Sequence, residues 1–250
     1  MKINPQLRLV LPDLHIPYHD KLATARWMQH AKELQPYAID LIGDLIDCYA
    51  LSSFDKNPSR QSSLQDEIDQ GQDFLSELRS VVGSKCEIHY SEGNHEARIR
   101  KLLWGKCSQF AGLRNLTIPE LLRLDSFNIQ WHPSGIPYNA GSLWFTHGKK
   151  INQTAGVAAK LTSDKAGCSI VMGHGHRMGW IPTTDWAGCR EGIEVGHLCD
   201  PAQLEYLDSP PNWQQGWCTI EIGKDYHDVN FVKVVQSGKK KLFVYKGSIL

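Results

Sequence analysis

Residues 7–47, LRLVLPDLHIPYHDKLATARWMQHAKELQPYAIDLIGDLID, decide the fold class. The stretch opens on an apolar run over residues 7–11 and continues through residues 20–34, where apolar positions recur at helical spacing. It closes on a second apolar run over residues 38–42. Strand, helix and strand in so short a span predict a β-α-β unit, and its crossover makes the two strands parallel. Each run is followed at once by polar residues, Asp13-Leu14-His15 after the first and Gly43-Asp44-Leu45-Ile46-Asp47 after the second. Reactive groups in open α/β sheets collect just past the carboxyl ends of strands, so these ends are the places to search.

Working outward, LSSFDKNPSRQSS (51–63) reads as a loop. It leads to LQDEIDQGQDFLSELRSVVG (64–83), where Leu64, Ile68, Leu75 and Leu78 recur at helical spacing and Gly83 supplies a stop. A third strand is expected over 86–90. A helix is expected in EARIRKLLWGK (96–106), with Ile99, Leu102 and Leu103 on one face and Arg98 with Lys101 on another. Residues 105–126 read as irregular and partly helical. Beyond Phe127 strands dominate, in FNIQW, SLWFTH, CSIVMG, MGWIPTT, GIEVG, GWCTIEI, DVNFVKVV and KLFVYKG, with one helical stretch near 154–163. With no repeat and no linker, the reading is a single α/β domain over residues 1–250. It is built from two packed mixed β-sheets flanked by helices, with 51–80 and 97–126 as insertions lining a cleft.

The bulk numbers narrow the function classes. A chain of 250 residues with 41% hydrophobic content builds a sizeable core. Its 27 Lys and Arg balance 27 Asp and Glu, which excludes a protein that coats nucleic acid through global charge; any such contact must be local. No apolar run approaches bilayer length, and the start MKINPQLRLVLPDLH has no signal-peptide pattern, so a soluble cytoplasmic protein with no membrane partner is expected. The seven cysteines are scattered and form no C-x-x-C pair, as reduced thiols would be.

The later strand ends repeat the pattern of the first two. Gly93-Asn94-His95-Glu96 follows the third strand, His147-Gly148 follows SLWFT, and Gly173-His174-Gly175-His176 follows CSIVM. His174 and His176 are two residues apart, so an extended backbone points both the same way. In a chain with 11 histidines that pair alone says little. Five strand ends that each deliver carboxylate, imidazole or carboxamide say much more.

In this order, D-x-H, GD-x-x-D, GNH-E, His-Gly and GH-x-H, residues 13–176 resemble the calcineurin-like metallophosphoesterase superfamily. The length, the strand-rich second half and the phrase SPPNWQQGW also look like its stand-alone phage and prophage members. The resemblance implies a metallophosphoesterase-like αββα sandwich with a two-metal centre. Asp13, His15 and His176 would sit on one metal, Asn94, His147 and His174 on the other, and Asp44 between them. Oxygen and imidazole donors without thiolate suit Mn²⁺ first, with Fe or Zn²⁺ as alternatives.

The implied chemistry is attack on phosphorus by a metal-bridging hydroxide, with His95 as general acid and Asp47 orienting and charging it. Glu96 is left as a supporting or capping carboxylate. Arg98, Lys149 and Arg177, each beside a motif, are candidate phosphate-binding cations. The resemblance thus implies hydrolysis of a phosphate-ester substrate, a phosphodiester or phosphomonoester of nucleotide type. A nuclease acting on DNA or RNA ends is the alternative, favoured by the basic helix at Arg98, Arg100, Lys101 and Lys106. A non-catalytic binding scaffold, as in the retromer subunit of the superfamily, is disfavoured because His95 and every ligand position are present. Protein serine/threonine phosphatases follow GD-x-x-D with arginine, whereas Cys48 and Tyr49 stand here. His19, His30, His89, His132, His197 and His227 are assigned no role. Cys48, Cys168, Trp104, Trp180 and Trp213 read as packing, and Asp66, Asp69, Asp73 and Glu77 as a solvated helix face.

Overall fold

Alternation along the first strand sets the layers of the molecule. The chain runs β1 (Gln6–Leu11), α1 (Lys21–Leu34), β2 (Ala38–Leu41), α2 (Leu64–Val82), β3 (Glu87–Ser91), α3 (Ala97–Lys106), α4 (Ile118–Leu121), β4 (Ile129–His132) and β5 (Tyr138–Ala140). It continues through β6 (Leu143–Thr146), α5 (Val157–Ala166), β7 (Ser169–Met172), β8 (Met178–Asp185), β9 (Gly188–Val195), β10 (Gly216–Ile222), β11 (His227–Ser237), β12 (Lys240–Tyr245) and β13 (Ser248–Ile249). The computed structural model describes residues 5–53, 55–57, 62–203 and 211–250. Phe54 and residues 58–61 of the expected 51–80 insertion lie outside them, as do Ser209 and Pro210 of SPPNWQQGW.

Leu9 and Leu11 of β1 join Trp27, Ala31, Leu75 and Leu78 in the core between the sheet and helices α1 and α2. Val10 turns the other way, into a second core with Phe145, Val171, Ile193 and Ile220 between the two sheets. Along β7 the same alternation sends Val171 inward and Ile170 and Met172 outward against Ala158 and Ala159 of α5. Helices, sheet, sheet and helix therefore stack in four layers.

The larger sheet has the order β13-β12-β11-β10-β1-β2-β3-β4, and the smaller β5-β6-β7-β9-β8. β1 to β4 are parallel, as the crossover predicts, and β10 pairs antiparallel on the other side of β1. In the smaller sheet β6, β7 and β9 are parallel, with β5 and β8 antiparallel at its edges. Two mixed sheets flanked by helices are what the residue pattern predicts. Among the described residues no helix is long and apolar enough to cross a membrane.

Local signals explain where the helices start. The Asp20 carboxylate accepts the N–H groups of Leu22 and Ala23 at 3.1 Å, and Ser63 with Asp66 forms a reciprocal capping box ahead of α2. Two features go beyond the residue pattern. Ile68, Phe74, Leu75 and Leu78 of α2 lie in the main core, and Ile118, Leu122 and Leu124 join them there. β5 carries no sequence signal, being three residues long between Pro137 and Gly141. All seven cysteines are free thiols.

One polar group set is buried between the sheets. The Arg8 guanidinium donates to Asp40 at 2.6 and 2.9 Å, and the Tyr138 hydroxyl from β5 donates to the same carboxylate at 2.6 Å. Arg8 is 2% exposed, so removing its partner leaves a buried, uncompensated charge. Asp40→Ala is expected to lower unfolding stability by about 3–5 kcal/mol, read from the midpoint of urea denaturation.

Candidate metal centre

Because β1, β2 and β3 run parallel, the segments after them emerge from one edge of the larger sheet. The segments after the parallel pair β6 and β7 meet them from the smaller sheet. The first two are zipped together by backbone. The N–H groups of Leu14 and His15 donate to the Asp44 carbonyl at 2.9 and 2.8 Å, Ile16 donates to Leu45 at 2.8 Å, and Asp47 donates to Ile16 at 3.0 Å. His15, Asp44, His174 and His176 all adopt left-handed backbone, with φ of 56°, 51°, 67° and 54°. Side chains of this kind rarely take that conformation, and such positions concentrate at functional sites. Here the sharp turn swings each donor back over the strand ends.

Two glycines make the close approach possible. A Cβ on Gly43 would lie 2.6 Å from His147 Nδ1, and one on Gly93 would lie 2.1 Å from Asp44 Oδ1. Glu96 then fixes the two turns to each other. Its carboxylate is fully buried and accepts the N–H groups of Leu45 (2.7 Å), Gly93 (2.9 Å), Asp44 (3.0 Å) and Ile46 (3.3 Å), together with the Tyr90 hydroxyl (2.8 Å).

Asp13, His15 and His176 bring ligand atoms within 4.8 Å of one another, and so do Asp44, His147 and His174. Asn94 joins the second set, its Oδ1 lying 2.9 Å from His147 Nε2. A third group, His15, Asp44 and His95, lies between them. His15 and His176 face each other through Nε2 atoms 3.1 Å apart, and His176 Nε2 is 3.6 Å from Asp13 Oδ1. His147 Nδ1 donates to the Ile42 carbonyl at 2.8 Å, which leaves the Nε2 lone pair aimed at Asp44 Oδ2, 3.3 Å away. Nitrogen and oxygen lone pairs converging on one another need protons or cations between them. Two divalent ions fit this donor set, which holds no thiolate.

The electrostatics show the same demand. Burial pushes Asp13 up to about 8, while for Asp44 burial is outweighed by His147 and His95, which hold it well below the usual carboxylate range. Burial opposes charge on His147, but Asp44 and Asp13 prevail and push it up to about 10. His174, buried beside His147, is lowered to about 4.

His95 sits at the rim. Its Nδ1 donates to the Asp47 carbonyl at 2.8 Å and lies 3.3 Å from the Asp47 carboxylate, which also binds His15 Nδ1 at 3.1 Å. Burial disfavours its charge, yet Asp44 and Asp47 outweigh that and raise its proton affinity. Of the three cations singled out in the sequence, Arg98 comes closest, with its guanidinium 3.3 Å from His95 Nε2 and donating to the Asp47 carbonyl at 2.7 Å. Arg177 instead binds the backbone carbonyls of Gly175 and Gln153, and Lys149 is exposed over Gly135.

Several residues around the centre carry no motif. Trp213 packs edge-on against His176, with ring centroids 4.2 Å apart, and His197 lies behind it at 5.2 Å. Glu194 is buried next to the Gly175 turn and accepts the Gly156 N–H, and burial raises it to about 7. Glu67 of α2 is buried, accepts the Tyr49 N–H at 3.2 Å and is raised to about 8 by burial and by Asp47. Its neighbours Asp66 and Asp69 are exposed, as the reading of a solvated face requires, and only Glu67 turns inward.

A family model described as calcineurin-like phosphoesterase matches residues 8–202. The gene 54 protein of Mycobacterium phage L5 is 26% identical over 245 residues, covering 91% of this chain and 93% of that protein. Its counterpart in Mycobacterium phage D29 is 26% identical over 241 residues, with the same coverage. Among solved structures, Vps29 of Chaetomium thermophilum in complex with a cyclic peptide aligns with a TM-score of 0.52 at 11% identity, covering 97% of this chain and 95% of that one. At that identity the likeness is one of fold alone.

The proton affinities give a pH test of the metal-free protein. Asp13 is raised from its ordinary 3.8 to about 8 and His147 from 6.5 to about 10, so the folded form binds more protons than the unfolded one across both windows. Stability from these groups is present below the ordinary values and is lost as pH rises through the folded ones. The Tm of chelator-treated protein is expected to fall as pH rises from about 7 towards 10. Added Mn²⁺ should raise Tm and flatten that fall, because cations replace the protons. A Tm that climbs with pH in the chelated protein would contradict the charge balance.

Proposed function

The chain belongs to the calcineurin-like phosphoesterase family, and from that membership we propose that it is a two-metal-dependent hydrolase of phosphate esters, acting on phosphodiesters or phosphomonoesters of nucleotide type. The observation that carries this reading is the pair of ligand clusters Asp13, His15 and His176, and Asp44, His147 and His174, each with its ligand atoms within 4.8 Å and linked by a third group of His15, Asp44 and His95. Asp13, His15 and His176 would hold one divalent ion and Asn94, His147 and His174 the other, with Asp44 available to both. Mn²⁺ is the first choice, with Fe or Zn²⁺ as alternatives. When bound, two such ions supply an activated water as nucleophile and neutralise the phosphate oxygens.

The protein's own groups do the rest. Asp47 fixes His15 and His95 through one carboxylate, so a donor to the first metal and the proton carrier share one orienting group. His95 keeps a proton on Nδ1 for the Asp47 carbonyl and presents Nε2 to the centre, 3.9 Å from Asp44 Oδ2. Protonated there, it hands its proton to the departing alkoxide. Arg98 beside it offers planar N–H donors to a phosphate oxygen, and its charge is anchored by the Asp47 carboxylate at 3.5 Å. A complete ligand set beside a histidine whose proton affinity is raised by Asp44 and Asp47 argues against a purely scaffolding role.

General acid assistance matters in proportion to how poor the leaving group is. His95→Ala is expected to lower kcat by about 10²–10⁴-fold on a nucleoside phosphodiester. A p-nitrophenyl ester, whose leaving group needs little protonation, should suffer much less. Steady-state rates with Mn²⁺ on both substrates test this. An equal loss on the two, or unchanged rates on both, would remove His95 from the proton-transfer role, and absence of Mn²⁺-dependent turnover of either ester by the wild type would remove the hydrolase reading.

A further inference from the structure

Residues 97–119 contain Arg98, Arg100, Lys101, Lys106 and Arg114 and no Asp or Glu, in a chain whose 27 basic and 27 acidic residues balance. This acid-free basic segment starts at the turn that carries His95, since α3 follows His95 and Glu96 directly. Lys101, Lys106 and Arg114 are exposed and make no ion pair among the described residues.

The same segment carries apolar surface that the core does not use. Trp104 is 64% exposed, Phe110 48% and Leu113 52%, against the expectation that Trp104 serves as packing. Trp104 is also held in place. The Arg100 guanidinium lies 5.0 Å from its ring centroid one helical turn away, and Glu92 fixes that guanidinium at 2.8 Å. One face of the indole is therefore backed by a cation and the side chain as a whole remains open to solvent.

Fixed aromatic faces among unpaired cations match a ligand that offers a π-face and a phosphate at every unit, which is single-stranded nucleic acid. A duplex hides its base faces in the stack. An anionic membrane surface would also meet aromatic and basic groups, but its headgroups offer no planar π-face for a braced indole to stack on. We propose that residues 97–114 form a binding surface for single-stranded nucleic acid, with Trp104 stacking on a base and Lys101, Lys106 and Arg114 meeting phosphates. Trp104 lies six residues beyond Arg98, roughly 9 Å along the helix axis, so a strand held there lies beside the scissile position. The proposal rests on the reading of the centre as a hydrolase of nucleotide-type esters and names its substrate class.

The test is fluorescence anisotropy of a labelled, phosphorothioate-linked oligothymidylate with the Mn²⁺-loaded protein, titrated at several salt concentrations. Wild type should bind with strong salt dependence. The variant with Lys101→Gln, Lys106→Gln and Arg114→Gln should bind at least about tenfold more weakly, with the slope of log K against log salt reduced by about 2. Trp104→Ala should lose about tenfold or more, and Trp104→Phe should recover most of it. All substituted side chains are exposed, and matching thermal melts establish that the variants fold. Equal affinities for wild type and both variants would overturn the proposal. So would saturable binding to phosphatidylserine vesicles, or Trp104-dependent self-association, without affinity for the oligonucleotide. Anisotropy reads binding without turnover, so a failed hydrolysis reading and a failed binding surface give different results.

Discussion

Glu96 is a fully buried carboxylate whose described partners are four backbone N–H groups and one tyrosine hydroxyl. Burying a carboxylate is costly unless every lone pair is met, and this one is met by two different strand-end turns at once. It ties Gly93 after β3 to residues 44–46 after β2. That knot places Asp44, whose Oδ1 then accepts the His95 N–H at 3.0 Å. Asp44 and His95 are thus positioned by one group, the carboxylate of Glu96.

From there the centre is a problem of facing lone pairs. The Ile42 carbonyl takes the Nδ1 proton of His147, and Asp47 takes the Nδ1 side of His15, so both rings turn their Nε2 atoms inward. Asp13, Asp44 and Asn94 turn oxygens into the same space. Such a cavity is preorganised for cations and unstable without positive charge, and that is why His147 holds its proton so tightly. The sandwich beneath it is shared in fold with Vps29 of Chaetomium thermophilum, and a fold by itself does not set the chemistry.

Charge is arranged on a larger scale as well. A chain of zero net charge puts a run of cations on α3 and the segment after it, directly after His95 and Glu96, while Asp66, Asp69, Asp73 and Glu77 spread acidity along α2. A local field of this kind attracts a polyanion to one face without making the whole protein sticky.

The sequence determined the parallel β-α-β start, the strand-rich second half and the set of polar residues at five strand ends, because hydrophobic period and turn glycines are local properties that survive without a partner. It also singled out Asp47, the last residue of GD-x-x-D, and Arg98, which neighbours a motif, and both lie beside His95. It understated Glu96, whose role as a knot between two turns depends on where β2 and β3 sit in space. It missed Glu67 and Glu194, which bear no spacing signal, gave His197 no role and read Trp213 as packing. It did not show that the apolar face of α2 goes to the main core, since a helix with one apolar face goes wherever a sheet face is open. Which lone pair each imidazole turns inward, and which exposed tryptophan is braced by a cation, were decided only by tertiary structure, because both depend on contacts between residues that the chain brings together only when folded.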